Sequence, residues 1–211
     1  MKITDTLKNI FEQDVKHKLR SLTEEYEALG MLIPETAEID FARGIIHSFH
    51  FEPKDETEKN ESIYYIVNFL NLLKIYKVNI VTFAYAQIEA LMKLKIKLTN
   101  KQTEFKKTLK AKNIQNSKFN NMLNFLLSEN NIVLNERQSK LIETIDRELR
   151  DMRNNDMHEI YDFFTVDDAI TFLGDYKNLT PKLNNELNHF IEFTNIVIII
   201  VFDFCDLWDM L

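Results

Sequence analysis

Residues 141–164, LIETIDRELRDMRNNDMHEIYDFF, decide how the chain folds. Leu141, Ile145, Leu149 and Met152 recur at spacings of four, four and three, which is the apolar stripe of a helix. The next apolar residue is Met157, five positions on, and the rhythm resumes through Ile160, Tyr161 and Phe164. Between the two methionines stands Arg-Asn-Asn-Asp, residue types that favour caps and turns over helix interiors. A phase slip is therefore expected inside residues 153–156, as a short loop, a helix restart or a π-bulge. Arg153 and His158 each lie one residue past a stripe methionine. On an unbroken helix five residues turn through about 500°, which leaves two side chains about 140° apart. With a slip between them, both reach the rim of one face, the arrangement that a two-residue phosphate site needs.

The rest of the chain is just as helical in character. Its 211 residues are enough for one good core, and they include only three Gly and three Pro, against average usages of roughly 7% and 5%. No Gly lies between Gly44 and Gly174, and no Pro between Pro53 and Pro181. Strand-and-turn folds need such residues often, whereas helix bundles do not. The expected class is all-α, a helical bundle whose core includes helices at 79–98, 137–164 and 181–210. Residues 1–60 read as an N-terminal helix and connector, and 61–211 as the bundle.

Thr4 to Leu29 form an amphipathic helix in this reading, with Leu7, Ile10, Phe11, Val15, Leu19, Leu22, Tyr26 and Leu29 on its stripe and Gly30 as its stop. From Met31 to Asn60 the pattern loosens around Pro34, Gly44 and Pro53. GIIHSFHF, residues 44–51, reads as a small hairpin strand or a tucked loop. His47 and His50, three apart, would face opposite sides of a strand, with no Cys and no clear third ligand, so no metal is expected. Glu52 to Glu61 reads as an exposed acidic connector. Ile63 to Leu98 has no Gly or Pro, and a break near Lys77-Val-Asn79 is expected to divide it in two. Glu89 lies one position past the stripe residue Ile88, and can pair with Arg153 or serve as a surface acid.

Charge is unevenly distributed. The chain carries a net −7, yet residues 93–118 hold nine Lys and one acid, Glu104, for a local +8. Such asymmetry can make an electrostatic footprint for phosphates on an otherwise acidic protein. Lys93, Lys97, Lys101, Lys106, Lys107 and Lys110 are the candidate RNA contacts, and a solvated helix end is the competing reading. Lys93, Lys95 and Lys97 alternate with Leu and Ile, so they cannot all share one helical face.

Phe119 to Leu127 is a short apolar helix followed by a polar turn at 128–131. Thr165-Val-Asp-Asp168 has the form of a capping box, Gly174 ends the short helix after it, and Pro181 suits the first turn of the last helix. That helix carries the longest apolar run, Ile196 to Phe202, far short of the ~18–20 residues that span a bilayer. Being apolar nearly all round, it is expected to lie central in a bundle or in a dimer seam, with Trp208 as a core or interface anchor. The single Cys205 allows no intrachain disulfide, which fits a reducing cytoplasm, and the N-terminus has no apolar signal region.

Arg153-Asn-Asn-Asp-Met-His158 is R-x4-H with a polar residue after the Arg. In this helical setting it resembles the signature of HEPN-domain ribonucleases, over about residues 79–211; residues 1–60 carry no such resemblance. RNA supplies its own nucleophile, the 2′-OH. Cleavage then needs that hydroxyl deprotonated, phosphorane charge stabilised and the 5′-oxygen protonated. A His can move protons near neutrality, a guanidinium offers a permanent charged fork for phosphate oxygens, and no metal or other cofactor is required. The resemblance implies a homodimer with two motifs facing across a cleft, Asn154 positioning substrate or His158, and a role as a toxin or phage-defence effector, often held by an antitoxin. Against this stands the plainer reading, in which Asp151, Asp156, Glu159 and Asp162 simply pair with the Arg and the His. A non-catalytic RNA-binding module and a helical interaction protein are the alternatives.

Overall fold

The computed structural model describes residues 2–28, 56–112, 119–159, 165, 168 and 179–211. All regular structure among them is helical: α1 (Ile3–Ala28), α2 (Glu56–Leu98), α3 (Gln102–Ala111), α4 (Phe119–Asn130), α5 (Glu136–Glu143), a π-helical segment (Thr144–Leu149), α6 (Arg150–Glu159) and α7 (Leu179–Met210). The all-α expectation holds for these residues. The hairpin considered at 44–51, with His47 and His50, lies outside them, as does Gly174.

α1 follows the amphipathic stripe at Phe11, Val15, Leu19 and Leu22, all buried, but Ile10 is 47% exposed and stands off it. α2 corrects two expectations. It is continuous for 43 residues, so no break occurs at 77–79, and the charged stretch from Glu56 is helix rather than connector. Neither Gly nor Pro interrupts it, and a run without a breaker keeps its i→i−4 ladder whenever packing rewards both halves. By length and composition the portion Ile66–Leu98 could cross a bilayer; here Ile66, Phe69, Val81, Ile88 and Met92 are each at most 1% exposed or nearly so, buried against protein.

Chain contacts divide the molecule into two compact units, the first formed by Met1–Phe11, Val81–Asn155 and Val197–Leu211, the second by Glu12–Ile80 and Asp156–Ile196. Within the first, three of the expected core segments meet: the second half of α2, the α5–α6 region and the end of α7. Phe119 of α4 and Phe204 of α7 are both fully buried, with ring centroids 5.8 Å apart and planes tilted 56°. Phe105 of α3 meets Phe125 of α4 at 5.2 Å. Trp208, 7% exposed, anchors α7 as expected, its indole Nε1 donating to the Leu91 carbonyl of α2 at 2.8 Å. Lys8 of α1 and Lys2, just before it, pair with Asp206 and Asp209 of α7.

The second unit is built in the same way from Val15, Leu19 and Leu22 of α1, Ile66, Phe69 and Leu73 of α2, and Leu183, Leu187 and Ile191 of α7. The Tyr76 hydroxyl donates to Ser21 Oγ at 3.0 Å, tying α2 to α1. The expected capping box is present: the Thr165 amide donates to Asp168 Oδ2 at 2.9 Å, and the Asp168 amide to Thr165 Oγ1 at 3.2 Å. The Thr165 hydroxyl, donating to Asp168 Oδ2 at 2.7 Å, and the Thr165 amide together hold the Asp168 carboxyl below its ordinary pKa. Pro181 falls in the first turn of α7, where its missing N–H costs nothing.

With so few glycines, asparagine ends two of the helices, α2 and α4. Asn100 and Asn131 adopt φ 57° and 52°, the left-handed conformation that usually falls to Gly. After each, the next amide reaches back five residues, Lys101 to the Ile96 carbonyl at 3.1 Å and Ile132 to that of Leu127 at 3.0 Å, closing a Schellman turn. Asn135 then caps α5: its Oδ1 accepts from the Gln138 amide and Gln138 Oε1 accepts from the Asn135 amide, both at 2.9 Å. Asn135→Ala is expected to lower stability by about 0.5–2 kcal/mol, read as a shift in the urea midpoint. An unchanged midpoint would show that the cap contributes nothing.

Candidate functional site

The motif helix begins with a departure from regular geometry. Ile145 and Leu149 are four apart and 0% and 1% exposed, and each step of four drifts about 40° round an α-helix. The π-helical segment Thr144–Leu149 absorbs that drift by taking one extra residue into the turn. The phase slip is therefore real but lies upstream of where the residues 153–156 suggested it. In an uninterrupted α-helix Met152 would return to within about 20° of Ile145, and Arg153 would stand about 80° away. With one residue inserted, Arg153 arrives at the phase that Met152 would have held. Met152 is accordingly 40% exposed, which corrects its place on the stripe, and Arg153 turns inward, half-buried.

Arg153 stands over an aromatic ring. Its guanidinium carbon is 4.6 Å from the ring centroid of Tyr85 on α2, and Nη2 donates to Asn154 Oδ1 at 3.1 Å. Tyr85 is 3% exposed. Burial pushes its phenol pKa up, Glu89 adds to the rise, and Arg153 and Arg150 oppose it. Glu89, one turn beyond Tyr85, makes no ion pair with Arg153. The neighbouring arginines are engaged otherwise: Arg147 pairs with Glu143 at 2.8 Å, and Arg150 with Asp146 at 3.1 Å and Asp151 at 3.5 Å. Asp146 also accepts from the Asn120 amide of α4. Of these three arginines, Arg153 alone has no carboxylate partner among the described residues. Asp151, one of the acids expected to take it, is committed to Arg150.

His158 belongs to α6, which is α-helical without interruption from Arg150 to Glu159. The polar run 153–156 does not break it, so the two motif positions stand about 140° apart round the axis. They are not brought to one rim by a local slip. The side chains of His158, Asp156, Glu159 and Asp162 lie outside the described residues.

The six candidate lysines do not form one group. Lys93 and Lys97, four apart on α2, are both exposed. Lys95 between them faces inward, its Nζ 4.4 Å from the Trp208 ring centroid and donating to the Trp208 carbonyl at 3.0 Å; burial lowers its pKa. The expectation that the three cannot share a face is met. Lys101 is paired with Glu129 at 2.8 Å. Lys106, Lys107 and Lys110 are exposed on α3, while Phe105 is buried. Three lysines within five residues of one short helix make the densest free positive patch described.

Tyr85 escaped the sequence reading because an aromatic on an apolar helix reads as core. The spacing Leu141–Ile145–Leu149 held the usable signal, since two successive steps of four overrun an α-helical stripe. Cys205 is 1% exposed, and burial pushes its thiol up to about 11. Against an ordinary thiol near 8.5, the thiolate at pH 8 is rarer by about 10²-fold. Labelling of Cys205 by a thiol reagent is expected to be slower by at least that factor in the native protein than in denaturant; equal rates would mean an open site. Among the described residues no group of three His, Cys, Asp or Glu is placed to hold a metal ion.

The chain matches no protein-family model, no curated protein and no solved structure.

Proposed function

We propose that this chain is a metal-independent endoribonuclease of HEPN-like fold. Arg153 stabilises charge on the phosphorane oxygens, His158 moves a proton at the 2′-hydroxyl or the 5′-oxygen, and Asn154 positions the substrate or His158. The observation that carries the reading is the state of Arg153. A guanidinium held inward on a helix, unpaired with any described carboxylate while its neighbours are paired, keeps its charged fork for an incoming phosphate. The exposed Lys106, Lys107 and Lys110, with Lys93 and Lys97, supply a non-specific phosphate attraction.

One His does not comfortably serve both proton transfers, and the two motif positions diverge round α6. The proposal therefore includes a symmetric homodimer, in which Arg153 of one protomer and His158 of the other share a substrate. Ile199 of α7, 57% exposed, is the kind of apolar residue that such an interface would cover. The biological setting that goes with the resemblance is a cytoplasmic toxin or phage-defence effector restrained by a partner antitoxin.

The same divergence of Arg153 and His158 favours a second reading, a module that holds RNA without cutting it. The test is incubation with a panel of cellular RNAs, transfer RNAs included, in the presence of a chelator. The proposal expects cleavage leaving 2′,3′-cyclic phosphate and 5′-hydroxyl ends. Binding without cleavage would establish the second reading, and neither would leave a helical interaction protein. Activity lost on chelation would replace this mechanism with a metal-dependent one.

A further inference from the structure

We infer that Tyr85 is a positioning residue for Arg153, holding its guanidinium through the face of the ring so that the charge is aimed but not neutralised. The inference rests on the phosphate-binding role proposed for Arg153 and adds a residue outside the motif to that site.

A buried or half-buried arginine needs something to fix it, because its side chain otherwise spreads over many rotamers. The usual partner is a carboxylate, as for the half-buried Arg150. A carboxylate, however, takes the bidentate N–H fork and cancels the charge, which are the two things a phosphate requires. An aromatic face acts differently. It attracts the cation through the ring quadrupole, perpendicular to the guanidinium edge, and accepts none of its in-plane N–H donors. At 4.6 Å from the Tyr85 centroid, Arg153 is within the range of this attraction. One donor is used on Asn154, and no described carboxylate takes the others.

Two features make the placement specific. Tyr85 is 3% exposed on a long helix, so its ring cannot swing away. The π-helical segment just before α6 brings Arg153, rather than Met152, to the ring. Burial and Glu89 both keep the phenol protonated, so the ring stays a neutral platform and does not become a phenolate partner.

The test uses the full chain with Tyr85→Phe, Tyr85→Leu and pentafluorophenylalanine at position 85, which keeps the ring's size and reverses its quadrupole. The first readout is the Arg153 side-chain Nε–H signal in solution NMR, identified by its loss in Arg153→Lys. Its ring-current displacement should survive in Tyr85→Phe and vanish in Tyr85→Leu, and the signal should broaden or move in the fluorinated protein. This arm needs no RNA, so it stands even if the chain cuts none. The second readout is RNA cleavage: Tyr85→Phe within about twofold of wild type, the fluorinated and Leu forms reduced by up to about 10²-fold in kcat with KM changed far less. An Arg153 signal unaffected by the fluorinated ring would overturn the inference. So would equal loss in Tyr85→Phe and Tyr85→Leu, which would assign the role to the hydroxyl. If Tyr85→Leu unfolds, the Phe and fluorinated forms decide the matter between them. Correct NMR behaviour with no cleavage by wild type would reject the ribonuclease reading and leave the positioning role intact.

Discussion

Arg153→Ala is expected to reduce metal-independent RNA cleavage by about 10²–10³-fold, the usual cost of removing one preorganised charge-stabilising group. His158→Ala should cost about 10²–10⁴-fold, the range for a proton-transfer group. Neither loss should come from unfolding. Arg153 gives up its contact with the Tyr85 face, about 0.5–1 kcal/mol for an accessible pair and up to about 2 when desolvated, a small part of the ~5–15 kcal/mol of a typical domain. Circular dichroism on each variant checks that the helices remain. Mixing the two inactive variants adds a sharper outcome. In a homodimer with shared sites, a heterodimer of Arg153→Ala and His158→Ala regains one composite site, so partial activity should return. Two variants as active as wild type would place the chemistry elsewhere, and mixing without recovery would confine each site to one protomer.

The second large effect lies in the packing. Phe204→Ala should lower stability by about 3–5 kcal/mol, the range for deleting a buried Phe side chain. Phe204 is 0% exposed and meets Phe119, also 0% exposed, at 5.8 Å between ring centroids. The resulting cavity would lie between α4 and α7, and α7 is held to α2 by the bond from the Trp208 indole to the Leu91 carbonyl. Urea denaturation followed by circular dichroism measures the loss. A change below about 1 kcal/mol would mean that α4 and α7 are held together by something other than this aromatic pair. If the loss is as large as expected, the variant should also expose Cys205, next to Phe204 in sequence and 1% exposed in the native protein, to thiol reagents.

Much of this architecture could be read from the chain. The shortage of Gly and Pro excluded strand-and-turn folds, the stripe of α1 placed Phe11, Val15, Leu19 and Leu22 inside, and Thr165 with Asp168 announced a cap that the hydrogen bonds display. Pro181 stands in a first turn, and the alternation of Lys93, Lys95 and Lys97 kept the three from sharing one face. Each of these depends on residues within about a turn of one another, where helical period, capping and backbone stiffness act directly. The phase of the motif helix is a different kind of property. The sequence offered residues 153–156 as the place to slip, because their side chains compete for backbone hydrogen bonds. The structure keeps α6 regular there and places the extra residue at Thr144–Leu149 instead. Local preference among polar residues is worth a few tenths of a kcal/mol each, whereas burying both Ile145 and Leu149 is worth roughly 1.5–3 kcal/mol per side chain. Which turn gives way is thus settled by what the neighbouring helices can bury. The same reason keeps α2 unbroken through Lys77–Asn79, and it brings Arg153, not Met152, to the face of Tyr85.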